Sequence, residues 1–307
     1  PIILSRVIDE CIQAGAWLDR GQGRLAQAAD CGEAELAEAI QDAASERALF
    51  LLLREQQKGL SDLPAKLKSL GQSVAQDYLK QVIQLSKWAQ PYFKPSQLVL
   101  AGAPNAGKST LFNRWFGEDR VVAAATPGTT RDLIDELIVL QDFPIQLQDG
   151  AGLRKFAEEL EAQGIERMEA AMASADLVLW LVGPEKLEIF AGHLEWLQKH
   201  PAKALVAFSQ ADQYEAPAAA EQLAAQEKLA QKIAALGIPT LPKAFSAHSG
   251  EALLALEERI CGLLAGPQPE GLETTPVAWT ARQLALLEES YQQLLQGGDG
   301  LSGLSEL

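Results

Sequence analysis

The sequence predicts an α/β fold: a mostly parallel six-stranded sheet, inserted in or flanked by a small all-α domain. Three observations carry this expectation. Residues 1–95 place apolar side chains only at helical spacing. From Gln97 onward, short apolar runs alternate with amphipathic stretches. Between the first run and the first stretch lies Gly102-Ala103-Pro104-Asn105-Ala106-Gly107-Lys108-Ser109, which fits G-x-x-x-x-G-K-[ST].

The elements follow in order. Leu36, Ile40, Ala44, Ala48 and Leu51 recur every three or four residues. So do Leu63, Leu67, Leu70, Val74, Tyr78, Val82 and Leu85, behind a Ser61-Asp62 cap with Pro64 in the first turn. Pro91 and Pro95 close this segment. Residues 97–101 read as a buried strand, and 109–116 as a helix stopped by Gly117. Further strands are expected at 137–140, 145–147, 177–182 and 204–208, and a short sixth before Ser246. Amphipathic stretches lie around 165–174, 186–199 and 217–235, with a last helix at 250–265. Residues 266–276 are rich in Pro, Gly and Glu and read as a linker. A helix over 280–296 carries Leu284, Leu287, Tyr291 and Leu294 on one face, a stripe that needs a partner. The N-terminal helices are the expected partner. The organisation is therefore 1–95 helical, 96–266 α/β, and 267–307 a linker and helix returning to the helical domain.

Composition narrows the function. The chain has 307 residues, 48% of them hydrophobic, and a net charge of −15. That balance argues against a broad basic nucleic-acid face, while leaving local nucleic-acid contact open. Cys11, Cys31 and Cys261 are scattered and odd in number, as expected of reduced thiols in a cytoplasmic protein. No run approaches the roughly 20 apolar residues of a membrane helix. Arg6, Asp9 and Glu10 interrupt Ile2-Ile3-Leu4 before a signal-peptide core forms. His193 and His200 read as surface groups, and the six tryptophans as packing.

The 102–109 run has the chemistry of a phosphate cradle. Gly102 and Gly107 allow a tight turn whose N–H groups converge on an anion, including those of Asn105 and Ala106. Lys108 supplies a positive charge, the Ser109 hydroxyl a Mg²⁺ ligand, and the helix that starts near Lys108, with Thr110 in its first turn, a favourable dipole. Four more segments fall at strand ends. Thr130, in Thr126-Pro127-Gly128-Thr129-Thr130-Arg131-Asp132, can meet Mg²⁺ and the γ-phosphate. In Asp149-Gly150-Ala151-Gly152, Asp149 is a Mg²⁺ ligand and the Gly152 N–H a γ-phosphate donor. Ser209-Gln210-Ala211-Asp212 offers Asp212 to the two N–H donors of the guanine edge. In Ser246-Ala247-His248, the Ala247 N–H faces guanine O6, and His248 contributes backbone. All five segments sit where open parallel sheets bind ligands.

Asn-Ala-Gly-Lys-Ser (105–109), Gly-Thr-Thr-Arg-Asp (128–132), Asp-Gly-Ala-Gly-Leu-Arg (149–154) and Gly-Ile-Glu-Arg-Met (164–168) resemble the TrmE–Era–EngA group of GTPases, and within it the tRNA-modification branch. The likeness is strongest over 97–182. It implies a Ras-like P-loop GTPase domain that hydrolyses GTP to GDP with Mg²⁺. It further implies K⁺ held by Asn105 beneath the 121–130 loop, catalysis by Lys108, Thr130, Gly152 and a water-orienting Glu161, and a homodimer formed through the G domains. Leu153 stands where Ras-like proteins carry the water-orienting Gln. Three departures stand out. The base motif is Ser-Gln-Ala-Asp in place of Asn-Lys-x-Asp, Gly150 replaces a Thr, and the N-terminal folate-binding-like domain and C-terminal Cys-x-Gly-Lys of that branch are not in this sequence. The resemblance thus carries the switch, with a tRNA-modification partner protein as an expectation. A nucleotide-binding module with little turnover, and an Era-like ribosome-assembly GTPase, stay open as alternatives.

Overall fold

The computed structural model describes residues 36, 39–117, 135–148, 170–184, 190, 194–199, 203–213, 219–241, 243–297 and 304. The chain falls into two compact units, Pro1–Lys94 with Ala265–Leu307, and Pro95–Leu264.

In the first unit, α1 (Glu46–Lys58) begins at Ser45, whose hydroxyl accepts from the Ala48 N–H at 3.1 Å. This satisfies one donor the helix itself cannot. Pro64 occupies the first turn of α2 (Leu63–Lys68), but Asp62 makes no side-chain cap. The apolar repeat over 63–85 is not one helix. The chain leaves α2 after Lys68 and restarts from Gly71 as α3 (Gln72–Phe93). The break turns the apolar face, so Val74 is exposed while Leu79, Val82 and Leu85 are fully buried. Pro91 lies inside α3 instead of ending it. So near the C-terminus one lost donor is tolerated, and the Lys94 N–H still closes onto Gln90 O at 2.9 Å.

The second unit contains β1 (Ser96–Gly102), α4 (Lys108–Phe116), β2 (Asp135–Leu140), β3 (Phe143–Gln148), β4 (Leu177–Val182), α5 (Leu194–Lys199), β5 (Ala204–Phe208), α6 (Ala219–Ala235) and α7 (Leu253–Ala265). The sheet order is β2-β3-β1-β4-β5. β1 pairs in parallel with β3 and β4, and β4 with β5, whereas β2 runs antiparallel to β3. Gln141 and Asp142, at φ 49° and 63°, make the two-residue turn of that hairpin. Every residue of β4 and β5 is buried, as covered parallel strands require. Val99, Val178, Trp180, Val206 and Phe208 share one core with Ile233 of α6.

The expectation of six strands needs correction: five strands form among the described residues. The segment before Ser246 reaches β5 through one bridge, Val206 to Thr240. The Leu241 N–H donates to Val206 O at 3.1 Å, and the Phe245 N–H to Phe208 O at 2.8 Å. Pro239, beside the bridge, has no N–H to give to a ladder.

Inside this unit α4 is tied to α7 and the hairpin. Glu257, 1% exposed, accepts from Trp115 Nε1 at 3.1 Å and from Gln141 Nε2 at 3.0 Å. One turn on, Cys261 donates to Leu140 O at 3.3 Å. Burial, with the Glu257 carboxylate adding to it, pushes this thiol up to about 12, so it carries no nucleophile at neutral pH.

The chain returns to the first unit as α8 (Ala281–Leu295). Thr280 and Gln283 form a capping box at its start. Leu287 and Leu294 are buried with Leu79, Val82 and Ile83 of α3, and Gln76 Nε2 donates to Leu294 O at 2.8 Å. The 266–276 segment is pinned at its far end rather than free. Arg54 donates to Thr275 O at 3.0 Å, and beyond it Glu55 accepts from the Val277 N–H at 2.9 Å and Ser86 Oγ from the Ala278 N–H at 2.9 Å.

Glu55 makes the stability of this unit pH-dependent. Its side chain is 1% exposed, and burial raises its pKa from 4.5 to about 7 despite the Val277 and Arg54 contacts. The folded state therefore holds a proton that the unfolded chain has lost between those values. The stabilisation is complete below pH 4.5 and lost as pH rises through 7, a swing of about 3 kcal/mol. Urea unfolding at pH 5 and pH 8 should show that fall in the native protein, and Glu55→Gln should flatten it.

Candidate nucleotide site

β1 ends on Gly102, at φ 135°, and a Cβ there would overlap the carbonyl of Leu181 on the neighbouring strand. Only glycine lets the chain turn off the sheet so close to β4. Asn105 at φ 63° and Gly107 at φ 87° complete a loop of left-handed residues, and α4 begins at Lys108. Such a turn gathers its N–H groups on one side.

Four of the loop's carbonyls each accept from a side chain. Lys108, 3% exposed, donates from Nζ to Gly102 O and Ala103 O, both at 2.8 Å. Gln210 Nε2 donates to Asn105 O at 3.1 Å, and Ser209 Oγ to Ala106 O at 2.7 Å. Within the loop the Ala106 N–H donates to Ala103 O at 3.2 Å. Ser109 and Thr110 are exposed at the start of α4, as is Asn105 in the loop.

A cleft of about 210 Å³ opens beside the loop, lined by Gly107, Thr110, Gln210, Asp212, Ala247 and His248 among others. Asp212 is exposed in a short 3₁₀ turn after β5. Fully buried Ser246 accepts from the Ser249 N–H at 3.0 Å, so its own proton goes to Asp212 Oδ1. The Ala211 N–H donates to Phe245 O at 3.0 Å, locking the two base-motif segments together. One Asp212 oxygen is thus held from behind while acceptor capacity is left for two convergent donors.

The structure brings Asn105, Ala106, Gly107, Lys108, Ser109, Thr110, Ser209, Gln210, Asp212, Ser246, Ala247 and His248 to one end of the sheet. Thr130, Asp149, Gly152 and Glu161 lie outside the described residues, as do the 121–130 loop, Gly150 and Leu153. Reading by motif missed two lining residues, Gln213 and Phe245. Gln213 is the next residue after Asp212 in its turn, and Phe245 directly precedes Ser246, so adjacency to the motifs is the signal that finds them.

Residues 97–210 match the family model described as 50S ribosome-binding GTPase. Among curated proteins, the tRNA modification GTPase MnmE of Novosphingobium aromaticivorans is 42% identical over 139 residues, 43% of this chain and 32% of that protein. MnmE of Zymomonas mobilis is 31% identical over 216 residues, 67% of this chain and 45% of that protein. The chain thus spans less than half the length of these relatives. Among solved structures, Era of Aquifex aeolicus bound to GDP·AlF₄⁻ aligns at TM-score 0.38 and 21% identity, covering 65% of this chain and 67% of that one. No described helix is long and apolar enough to cross a membrane.

Proposed function

We propose that this chain, whose residues 97–210 match a GTPase family model and which is similar to the MnmE tRNA modification GTPases, hydrolyses GTP to GDP and phosphate with Mg²⁺, stimulated by K⁺. The observation that carries the reading is the loop 102–109, four of its carbonyls held by side chains, at the same end of the sheet as the Asp212–Ser246 pair.

In this reading Asp212 accepts the two N–H donors of guanine, and the Ala247 N–H donates to O6. The loop amides and Lys108 hold the β- and γ-phosphates. The hydroxyls of Ser109 and Thr130 with the Asp149 carboxylate would hold Mg²⁺, and the Asn105 side-chain oxygen would hold K⁺. These are hard oxygen donors suited to such cations, and Ser109 and Asn105 are exposed at the loop. The cations would neutralise charge developing on the γ-phosphate. Glu161 orients the attacking water, and the Gly152 N–H meets a γ-phosphate oxygen. The remaining proposals are a dimer through the G domains, which the family resemblance implies, and a tRNA-modification partner, in keeping with the relatives' name. Phosphate release measured in KCl and in NaCl tests the proposal. Release at least tenfold faster in KCl supports it, and equal, negligible release in both salts overturns it.

A further inference from the structure

The first, helical unit holds a cavity of its own, of about 260 Å³. Four alanines leave it open, and three ring-bearing side chains, Tyr92, Phe93 and Trp279, line it. Asp42 is the one charged group among its described lining residues, and it is exposed in the turn before α1. Tyr92 and Phe93 belong to the last turn of α3, a helix of 22 residues with no basic side chain in that turn. Carbonyls at such an end lack partners within the helix, and the aligned dipoles favour a cation there. Trp279 and Thr280 come from the start of α8, an end that would favour an anion, but its donors are engaged locally. Gln283 Oε1 accepts from the Trp279 and Thr280 N–H groups at 3.1 and 3.3 Å, and Thr280 Oγ1 from the Gln283 N–H at 3.2 Å. Arg47 donates to Gln268 at 2.7 Å, and neither it nor Lys94 lines the cavity.

We propose that this cavity, between the turn at Asp42, the end of α3 and the start of α8, binds a small organic cation of the alkylated ammonium class. The Asp42 carboxylate balances the charge, and the rings and alanines take the alkyl groups. Aromatic rings attract such cations, and a concave, mostly apolar wall with one well-placed polar group is the usual form of a small-molecule site. A divalent metal ion does not suit it, because such ions need several oxygen ligands and Asp42 is the one carboxylate. An anion is opposed by the same carboxylate. All of these residues lie in the first unit, so the site stands whether or not the chain hydrolyses GTP.

Choline and tetramethylammonium are the probes. The uncharged analogue of choline, with carbon in place of nitrogen, is the control. Calorimetry on the full chain at constant ionic strength should show saturable binding of both cations at one site, in the millimolar range or tighter. The uncharged analogue should bind at least ~5-fold more weakly. Asp42→Asn removes the charge from an exposed turn without disturbing the fold, and choline affinity should fall at least ~5-fold. Ala39→Leu keeps the charge but fills the cavity, and it should abolish choline binding. Equal affinity for choline and its uncharged analogue overturns the cation reading. Native choline affinity in Asp42→Asn overturns the site, whatever Ala39→Leu does. A response that never saturates and fades with added NaCl is general attraction to an acidic chain, and it too overturns the proposal.

Discussion

Replacing Lys108 with Ala is expected to weaken GTP and GDP binding by ~10²–10³-fold. Two effects combine. The ammonium is the one formal positive charge the loop 102–109 contributes, and charge-assisted contacts to phosphate are about twice as strong as neutral ones. The same Nζ also holds Gly102 O and Ala103 O at 2.8 Å, so its removal releases carbonyls that then compete for the loop's concave side. A fold defect would be a third effect, and it is separable. The Nζ contacts lie within the loop, so thermal unfolding of the nucleotide-free variant should stay close to the native midpoint while binding is lost. Lys108→Arg sharpens the test. It keeps the charge, but a planar fork cannot take the place of a compact ammonium in a site only 3% exposed. It should remain at least tenfold weaker than the native protein. Native-like GDP affinity in Lys108→Ala, measured by calorimetry, would overturn the assignment of the loop.

Much of this architecture is legible in the sequence because its physics is local. The turn from β1 into α4 depends on glycines at fixed spacing, and the fully apolar runs of β4 and β5 reflect burial on both faces. The capping box at Thr280 and Gln283 is equally local. What escaped is what depends on tertiary partners. Gln141-Asp142 turns the β2–β3 hairpin without the Gly or Asn-Gly such turns favour, one of its side chains being held by Glu257. Among the described residues the expected sixth strand is a single bridge at Thr240, next to Pro239, which has no N–H for a ladder that periodicity alone would extend. The break at Gly71 follows from α2 and α3 packing as separate segments, although their leucines continue one another's spacing. In the nucleotide site, Ser209 looks too short for its position. It reaches Ala106 O at 2.7 Å because the loop comes to it, a distance that no spacing rule encodes. No motif marks Gly183, where an added Cβ would overlap the Gln210 side chain that follows another strand.

Asp212→Asn should exchange guanine selectivity for xanthine selectivity. Guanine presents two donors, N1–H and the N2 amino group, and a carboxylate accepts both. An amide accepts one and must donate with its other end. Ser246 decides which end is which. Its oxygen is occupied by the Ser249 N–H at 3.0 Å, so its proton points at Asp212 Oδ1 and will keep the amide oxygen there. The NH₂ is then aimed where guanine offers a second donor, and two donors facing each other leave both unsatisfied. Xanthine carries a carbonyl oxygen at that position and accepts the bond. A site built around a hydrogen bond rejects the ligand lacking it far more strongly than an apolar pocket rejects a size change, so GDP affinity should fall ~10²–10⁴-fold. Xanthosine diphosphate should bind the variant at least tenfold better than GDP does, reversing the native order. Because the substitution is isosteric and exposed, the nucleotide-free midpoint should not move. Competition by GDP, ADP and xanthosine diphosphate against a labelled guanine nucleotide gives the answer. If the variant retains native GDP affinity, or if ADP competes with the native protein as well as GDP does, Asp212 is not the base reader. The phosphate loop would then serve a ligand selected elsewhere.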